Sequence, residues 1–279
     1  MKALDFLIDD YPFVDKNETL YYTFKLMEKY DLYKAVVYEK TKDKGGHEYK
    51  KITGIITGRD IILKLATQRI RSTTPGRLHV SSFMSLNPIT ISPDTEFNDM
   101  VKVMYEKSIG ILPVLEGNDI IGIVLREKLL EVLKKDDTEI RFIMNTYPLI
   151  ARTSDRILKI RQDMLNNDVS FMPVLDERNE VVGYITIAEL AYALFKFQDI
   201  VPAKHKKERI TRLIVEDIMR FRPPRLRITD TIATALSYIL EKRSRGAIVV
   251  DEIGGLAGIV TVHDLLRYLV EKTYRALTT

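Results

Sequence analysis

Three pairs of residues have types and spacing that could do chemistry: Thr57/Asp60, Thr186/Glu189 and Thr261/Asp264. In each, an apolar run ends in the threonine and an amphipathic stretch opens at the acid, as in Gly258-Ile259-Val260-Thr261-Val262-His263-Asp264-Leu265-Leu266. Two chemistries suit this spacing. Ser/Thr-x-x-Glu at a helix start is a capping box, in which both side chains satisfy unpaired amides. Thr186-Ile187-Ala188-Glu189 fits it well, whereas Asp60 and Asp264 are one methylene short of the preferred glutamate. An acid at a strand-to-helix turn can instead accept both hydroxyls of a ribose. Spacing alone favours the cap. Arg59 and His263 directly precede the two aspartates, at helix starts whose amides and dipole favour anions. Taken singly, each also reads as a solvated surface charge.

The elements that must position these pairs follow from the hydrophobic pattern. Period two gives way to period 3.6 at each threonine, so a strand turns directly into a helix. The stretch recurs four times, at 54–62, 122–130, 183–190 and 258–266. The copy at 122–130 keeps the apolar skeleton but has Leu125 and Lys128 in place of the threonine and acid, so a diol finds no acceptor there. The chain is therefore four copies of one unit. Each opens with Met-x-x-x-Pro, ending at Pro12 (with Ile8 for the methionine), Pro88, Pro148 and Pro223. These prolines are separated by long, short and long intervals, which pairs repeat one with two and three with four.

After the proline comes a short alternating strand such as Ile89–Ser92. Helix starts follow at 92–95, 153–155 and 229–231, where small oxygen-bearing side chains can cap. Helices are predicted over Leu20–Tyr30, Phe97–Lys107, Ile157–Asn166 and Ile232–Lys242. Buried strands are predicted at Ala35–Tyr38, Ile111–Leu115, Phe171–Leu175 and Ala247–Val250. Residues 41–51 read as an exposed hairpin tip, and 68–77 and 199–212 as polar, basic connectors. The unit is β-α-β-β-α, the class α+β (α/β-like), and the repeats span 1–70, 71–136, 137–200 and 201–279. A lone copy cannot cover its sheet; pairing two does, and leaves clefts along a pseudo-twofold interface of the kind small molecules prefer.

Composition narrows the function. The chain has 279 residues, 46% hydrophobic, with 43 basic against 39 acidic side chains for a net charge of +4. No cysteine is present, and four histidines show no metal-site spacing. No stretch approaches the ~20 apolar residues of a membrane span, and the first residues are too acidic for a secretory signal. A cytoplasmic protein is expected. A nucleophile–base pair, a metal cluster and a P-loop glycine run are all missing from the sequence, so it does not read as an enzyme. Lys204-His205-Lys206-Lys207 looks like a phosphate-contacting patch, but without aromatic interleaving. A nucleic-acid-associated or purely structural interaction module is the alternative, with nucleic acid disfavoured.

The strand signatures Ile111-Leu112-Pro113-Val114 and Phe171-Met172-Pro173-Val174, the Met-x-x-x-Pro openings and the Gly-Ile-Val-Thr-x-x-Asp-Leu-Leu endings resemble cystathionine β-synthase-type (CBS) domains. The arrangement is similar to the nucleotide-sensing regulatory subunits of AMP-activated protein kinases and to stand-alone archaeal chains of four CBS domains. The resemblance implies a non-enzymatic sensor that binds adenosine-type ligands (AMP foremost, then ADP and ATP). It also implies a protein partner that reads the bound state, and leaves a homodimer open. It implies ribose binding at Thr57/Asp60 and Thr261/Asp264, and leaves both readings open at Thr186/Glu189. Adenine slots are implied at Ile89, Thr90, Gly110, Ile111 and Leu112 opposite Asp60, and at Leu149, Ile150, Ser170, Phe171 and Met172 opposite Asp264. These residues equally read as core strands. Opposite Glu189 stand Pro224, Arg225 and Gly246, where Pro224 lacks an amide. For phosphate the resemblance points to Arg245, with Lys34 one position later in its own repeat, beside Arg59 and His263. Gly110 and Ser170 hold the matching positions elsewhere, so a monophosphate is expected.

Overall fold

The computed structural model describes residues 1–279 apart from Lys44, Ala66, Gln68–Ser72 and Thr279. Repeat one runs β1 (Phe13–Asp15), α1 (Leu20–Tyr30), β2 (Lys34–Lys42), β3 (Glu48–Thr57) and α2 (Gly58–Leu65). Repeat two contributes β4 (Ser85–Leu86), α3 (Phe97–Glu106), β5 (Ile111–Glu116), β6 (Asp119–Leu125) and the short α4 (Arg126–Leu129). Repeat three holds β7 (Ala151–Arg152), α5 (Ile157–Asn166), β8 (Phe171–Leu175), β9 (Val181–Thr186) and α6 (Ile187–Ile200). After α7 (Ala203–Arg209), repeat four has β10 (Arg220–Phe221), β11 (Arg225–Arg227), α8 (Ile232–Lys242), β12 (Gly246–Val250), β13 (Leu256–Thr261) and α9 (Val262–Thr278). The β-α-β-β-α unit is thus present, and the class is mixed α and β.

Caps set the helix ends. Thr19 accepts from Tyr22 N at 3.1 Å to start α1, and Thr231 accepts from Thr234 N at 3.2 Å to start α8. Each of these helices ends at a left-handed residue, Asp31 and Arg243, with φ of 48°. Two expectations need correction. The strand predicted at Ile89–Ser92 is only a bridge between Ile91 and Val114, because prolines at 88 and 93 bracket it. The connector predicted at 199–212 carries α7, in which Lys206 is 1% exposed and donates to Gln198 O at 2.6 Å. Of the connector predicted at 68–77, residues 68–72 lie outside the described residues, and Pro75–Arg77 forms a 3-10 turn.

The chain divides into two compact units. The first comprises Met1–Met100, Ile109–Leu125 and Ala191–Ile210; the second comprises Val101–Ser108, Arg126–Leu190 and Thr211–Thr279. In the first, a sheet ordered β1-β2-β3-β4 meets the β5-β6 hairpin through Val36, Ile111 and Ile123. In the second, the β10-β9-β8-β7 sheet meets β11-β12-β13 through Phe171, Leu175, Val181, Tyr184, Ile248 and Ile259.

Within each unit the pairing is reciprocal. The residues around each methionine or Ile8 add to the partner repeat's last strand: Ile8 to Ile123, Ser85 to Ile55, Asn145 to Ile259 and Arg220 to Tyr184. A glycine marks every crossing. A Cβ on Gly54, Gly122, Gly183 or Gly258 would stand 2.5–2.8 Å from a carbonyl oxygen of the crossing segment, closer than any side chain tolerates. Each hairpin also shifts register one residue before that glycine, between Val37 and Tyr38, Val114 and Leu115, Val174 and Leu175, and Val249 and Val250. Such bulges bend the strand, here beside the point where the partner repeat's opening segment passes.

Candidate functional site

At all three acid-bearing corners one carboxylate oxygen closes a capping box. Asp60 Oδ2 accepts from Thr57 N at 2.8 Å and Thr57 Oγ1 at 2.7 Å. Asp264 Oδ2 accepts from Thr261 N at 2.9 Å and Thr261 Oγ1 at 2.7 Å. Glu189 Oε2 accepts from Thr186 N at 2.9 Å and from the Thr186 hydroxyl. The shorter aspartate closes the box as well as glutamate does, against the sequence expectation. The reason is local: acid and threonine sit on a tight strand-to-helix junction, and the threonine hydroxyl turns back on the acid's own amide or the one before it.

The second oxygen separates the corners. Asp60 Oδ1 accepts from Ser85 Oγ at 2.8 Å. Glu189 Oε1 pairs with Arg220 Nε at 2.6 Å. Asp264 Oδ1 has Arg267 at 3.5 Å, an i,i+3 contact along its own helix. A carboxylate oxygen has two lone pairs, so a cap on one oxygen leaves the other able to accept a diol. That capacity is best preserved at Asp264. Ser85 and Arg220 each follow the methionine of their own repeat's opening. Sequence reasoning did not nominate them, although reciprocal crossing of paired openings would have placed them against the partner's corner.

The nominated slot residues divide by exposure. Ile111, Leu112, Phe171 and Met172 are at most 4% exposed, so their side chains belong to the core. Phe171 stacks on Tyr184 and lies against Gly246. Ile89, Leu149 and Ile150 are 38–42% exposed. The parallel registers Ile91↔Val114 and Ala151↔Val174 carry Ile89 to the level of Leu112, and Leu149 and Ile150 to that of Met172 and Pro173. An apolar lip therefore faces a strand backbone in each unit, with Thr90 exposed and Gly110 and Ser170 half-buried at its end. Opposite Glu189, Pro224 O accepts from Ile248 N and Arg225 donates to Val181 O, so that slot is spent on sheet contacts.

The nominated cations also differ. Lys34 is 5% exposed and donates to Gly110 O at 3.0 Å, which joins repeat one to the start of β5 in the first unit. Arg59 is half-buried. In the second unit His263 keeps an exposed edge but stacks on Tyr105 at 5.5 Å. Crowding by protein atoms, then the charges of Arg126 and Arg267, outweighs Asp264 and Asp168 and lowers the His263 pKa from its ordinary value. Arg245 holds a left-handed φ of 63° and has Glu127 at 3.9 Å. The fourth corner hides a cation that was not nominated: Arg126 is 8% exposed, and its Nε has no hydrogen-bond partner among the described residues.

A family model for the CBS domain matches residues 3–67, 80–135, 139–196 and 215–271. The chain belongs to the CBS-domain family. Its four repeats are CBS domains, and their reciprocal crossings make CBS pairs. Protein MJ1225 of Methanocaldococcus jannaschii, described as a candidate archaeal homolog of g-AMPK, has a crystal structure that superposes with a TM-score of 0.80. The match is at 19% identity and covers 96% of this chain and 100% of that one. In sequence the two are 24% identical over 180 residues, 58% of this chain and 62% of MJ1225. A homoserine O-acetyltransferase of Methanosalsum zhilinae is 29% identical over 112 residues, 40% of this chain and 23% of that protein. The chain's sequence matches thus span less than two thirds of these curated relatives' length, 62% of MJ1225 and 23% of the transferase. CBSX2 of Arabidopsis thaliana, a CBS-pair protein crystallised with AMP, matches at 20% identity with a TM-score of 0.41, over 49% of this chain and 98% of that one. Among the described residues, no helix is long and apolar enough to cross a membrane.

Proposed function

We propose that this CBS chain is a non-catalytic sensor that holds adenine nucleotides, AMP foremost, in the clefts of its two CBS pairs. The observation that carries the reading is the split use of the Asp264 carboxylate: Oδ2 caps α9, while Oδ1 has, among the described residues, Arg267 at 3.5 Å. A ribose diol would take Oδ1. The adenine would lie against Leu149 and Ile150, with its edge on the backbone of Ser170–Met172, and the phosphate would reach toward His263 and Arg245. Asp60 would serve in the same way once the Ser85 hydroxyl gives up Oδ1, with Ile89, Thr90 and Gly110–Leu112 as the slot and Lys34 and Arg59 as cations. The Glu189 corner, already paired with Arg220, would be the weakest of the three.

A ligand in such a cleft touches both repeats of a pair, so it can bias their relative arrangement by its differential affinity for two states. A protein partner would read that bias. The nucleic-acid alternative loses support, since Lys206 of the basic run is buried. The purely structural alternative draws on the same hydrogen bonds, because three closed capping boxes need no ligand. Denaturation with and without AMP decides between them. At 100 times its dissociation constant a ligand stabilises by about 2.7 kcal/mol, and Asp264→Ala should remove most of that gain. A wild-type protein indifferent to AMP, ADP and ATP would leave the caps as the whole role of these acids.

A further inference from the structure

The corner of repeat two lacks a diol acceptor, yet it contains the least expected side chain in the second unit. Arg126 occupies the position that Gly58, Ile187 and Val262 fill at the other three corners. All four are buried, and in the other three repeats a residue without charge suffices. The fold therefore does not require a cation at this position. A buried guanidinium without full pairing costs several kcal/mol, and an apolar residue of similar volume is often the more stable choice. Arg126 nevertheless stands 8% exposed, with no hydrogen-bond partner for Nε among the described residues.

Its surroundings hold charges of both signs. Arg245 and His263 lie within electrostatic reach of Arg126. Glu127 and Asp168 are the acids that act on it, and Glu127 is only 3.9 Å from Arg245. Burial first, and then the Arg245 charge, lower the Arg126 pKa from its usual value against those acids, though arginine stays protonated. Arg245 faces Glu127, the residue after Arg126, and His263 stacks on Tyr105 of the same repeat as Arg126, so Arg126, Arg245 and His263 converge, and His263 adjoins Asp264 in sequence.

We infer that Arg126, with Arg245 and His263, forms an anion pole that receives the phosphate of a nucleotide whose ribose is held by Asp264, and thereby selects phosphorylated over phosphate-free adenosine ligands. The inference rests on the function proposed above and adds the residue that sets ligand class. A phosphate supplies acceptors that suit a planar guanidinium fork, and one of them would serve the Nε that has no hydrogen-bond partner among the described residues.

The test is calorimetric titration of the full chain, wild type and Arg126→Met, with AMP, adenosine and inorganic phosphate. Wild type should bind AMP roughly ten- to a hundredfold tighter than adenosine, the range of one charge-assisted hydrogen bond. Arg126→Met should bring the two affinities within about threefold of each other, while melting no lower than wild type without ligand, as an apolar corner would. Should that variant fold poorly, Arg126→Lys keeps the charge without the fork and should show an intermediate preference. A wild-type preference that survives in Arg126→Met, or no preference in wild type, overturns the inference. Adenosine binding that Asp264→Ala abolishes would uphold the ribose corner even then. Saturable binding of inorganic phosphate with no response to either adenosine compound would overturn both.

Discussion

The corners at Thr186–Glu189 and Thr261–Asp264 lie in one unit and close the same capping box, yet they differ at the oxygen that matters. Glu189 Oε1 is held by Arg220 Nε at 2.6 Å, whereas Asp264 Oδ1 has, among the described residues, the longer contact to Arg267 at 3.5 Å. The cause is one position in the partner repeat. Arg220 follows Met219 and reaches the Glu189 corner, while Asn145 follows Met144 and turns its side chain to Tyr147 N at 2.9 Å. The Thr-x-x-acid pattern therefore dictates a cap, and the crossing segment dictates whether the acid can do anything more. Asp60, with a serine hydroxyl on its outer oxygen, stands between the two.

The largest effect should come from the acids themselves. With AMP at 100 times its wild-type dissociation constant, Asp264→Ala should lose most of the roughly 2.7 kcal/mol of stabilisation, Asp60→Ala should lose part, and Glu189→Ala should lose almost none. Urea denaturation with and without AMP reads all three, and equal losses at Asp264 and Glu189 would break the comparison. Next come the crossings. In Gly258→Ala and Gly183→Ala the new Cβ meets Asn145 O at 2.5 Å and Arg220 O at 2.6 Å, so each should cost about 1–3 kcal/mol by overpacking. Both should also weaken the corner just beyond the glycine. Removing the competitor should act in the opposite sense. Arg220→Ala frees Glu189 Oε1 and should raise AMP affinity at that corner roughly tenfold, the lower end for a charged hydrogen bond, visible as added stoichiometry in an Asp264→Ala background.

The smallest effect is a pH dependence confined to the helix that carries Asp264. Asp136 is 7% exposed and accepts from Lys272 Nζ at 2.6 Å, Tyr268 OH at 3.0 Å and Thr138 N at 3.0 Å, which ties α9 down. Burial alone would raise the Asp136 pKa, but Lys272, Thr138 and Tyr268 outweigh it and hold the carboxyl below its usual range. A depressed acid contributes stability above its unfolded pKa of ~3.9 and loses it as pH falls through the lower folded value. Asp136→Asn should thus cost about 1 kcal/mol at pH 7, and denaturation midpoints of variant and parent should converge as pH drops below ~4. A gap that stays constant with pH would remove Asp136 as the tether.

Much of this architecture was legible in the sequence. Three of the four helices begin and end where the periodicity put them, because caps such as Thr19 and Thr231 and the buried faces of α1 and α8 agree. The strand before α3 misled, since Ile89–Ser92 alternates in polarity but lies between two prolines and makes one bridge. The bulges before Gly54, Gly122, Gly183 and Gly258 had no local signature, because they answer to a segment of the partner repeat, remote in sequence. Ser85 and Arg220 were missed for the same reason. Arg126 was missed because only the threonine, the acid and the residue before the acid were weighed at each corner.

The most direct test of the central claim is a crystal structure of the protein with AMP. The ribose hydroxyls should lie within hydrogen-bonding distance of Asp264 Oδ1 while Oδ2 still accepts from Thr261 N. A nucleotide bound elsewhere, with Asp264 engaged only in its cap, would contradict the account.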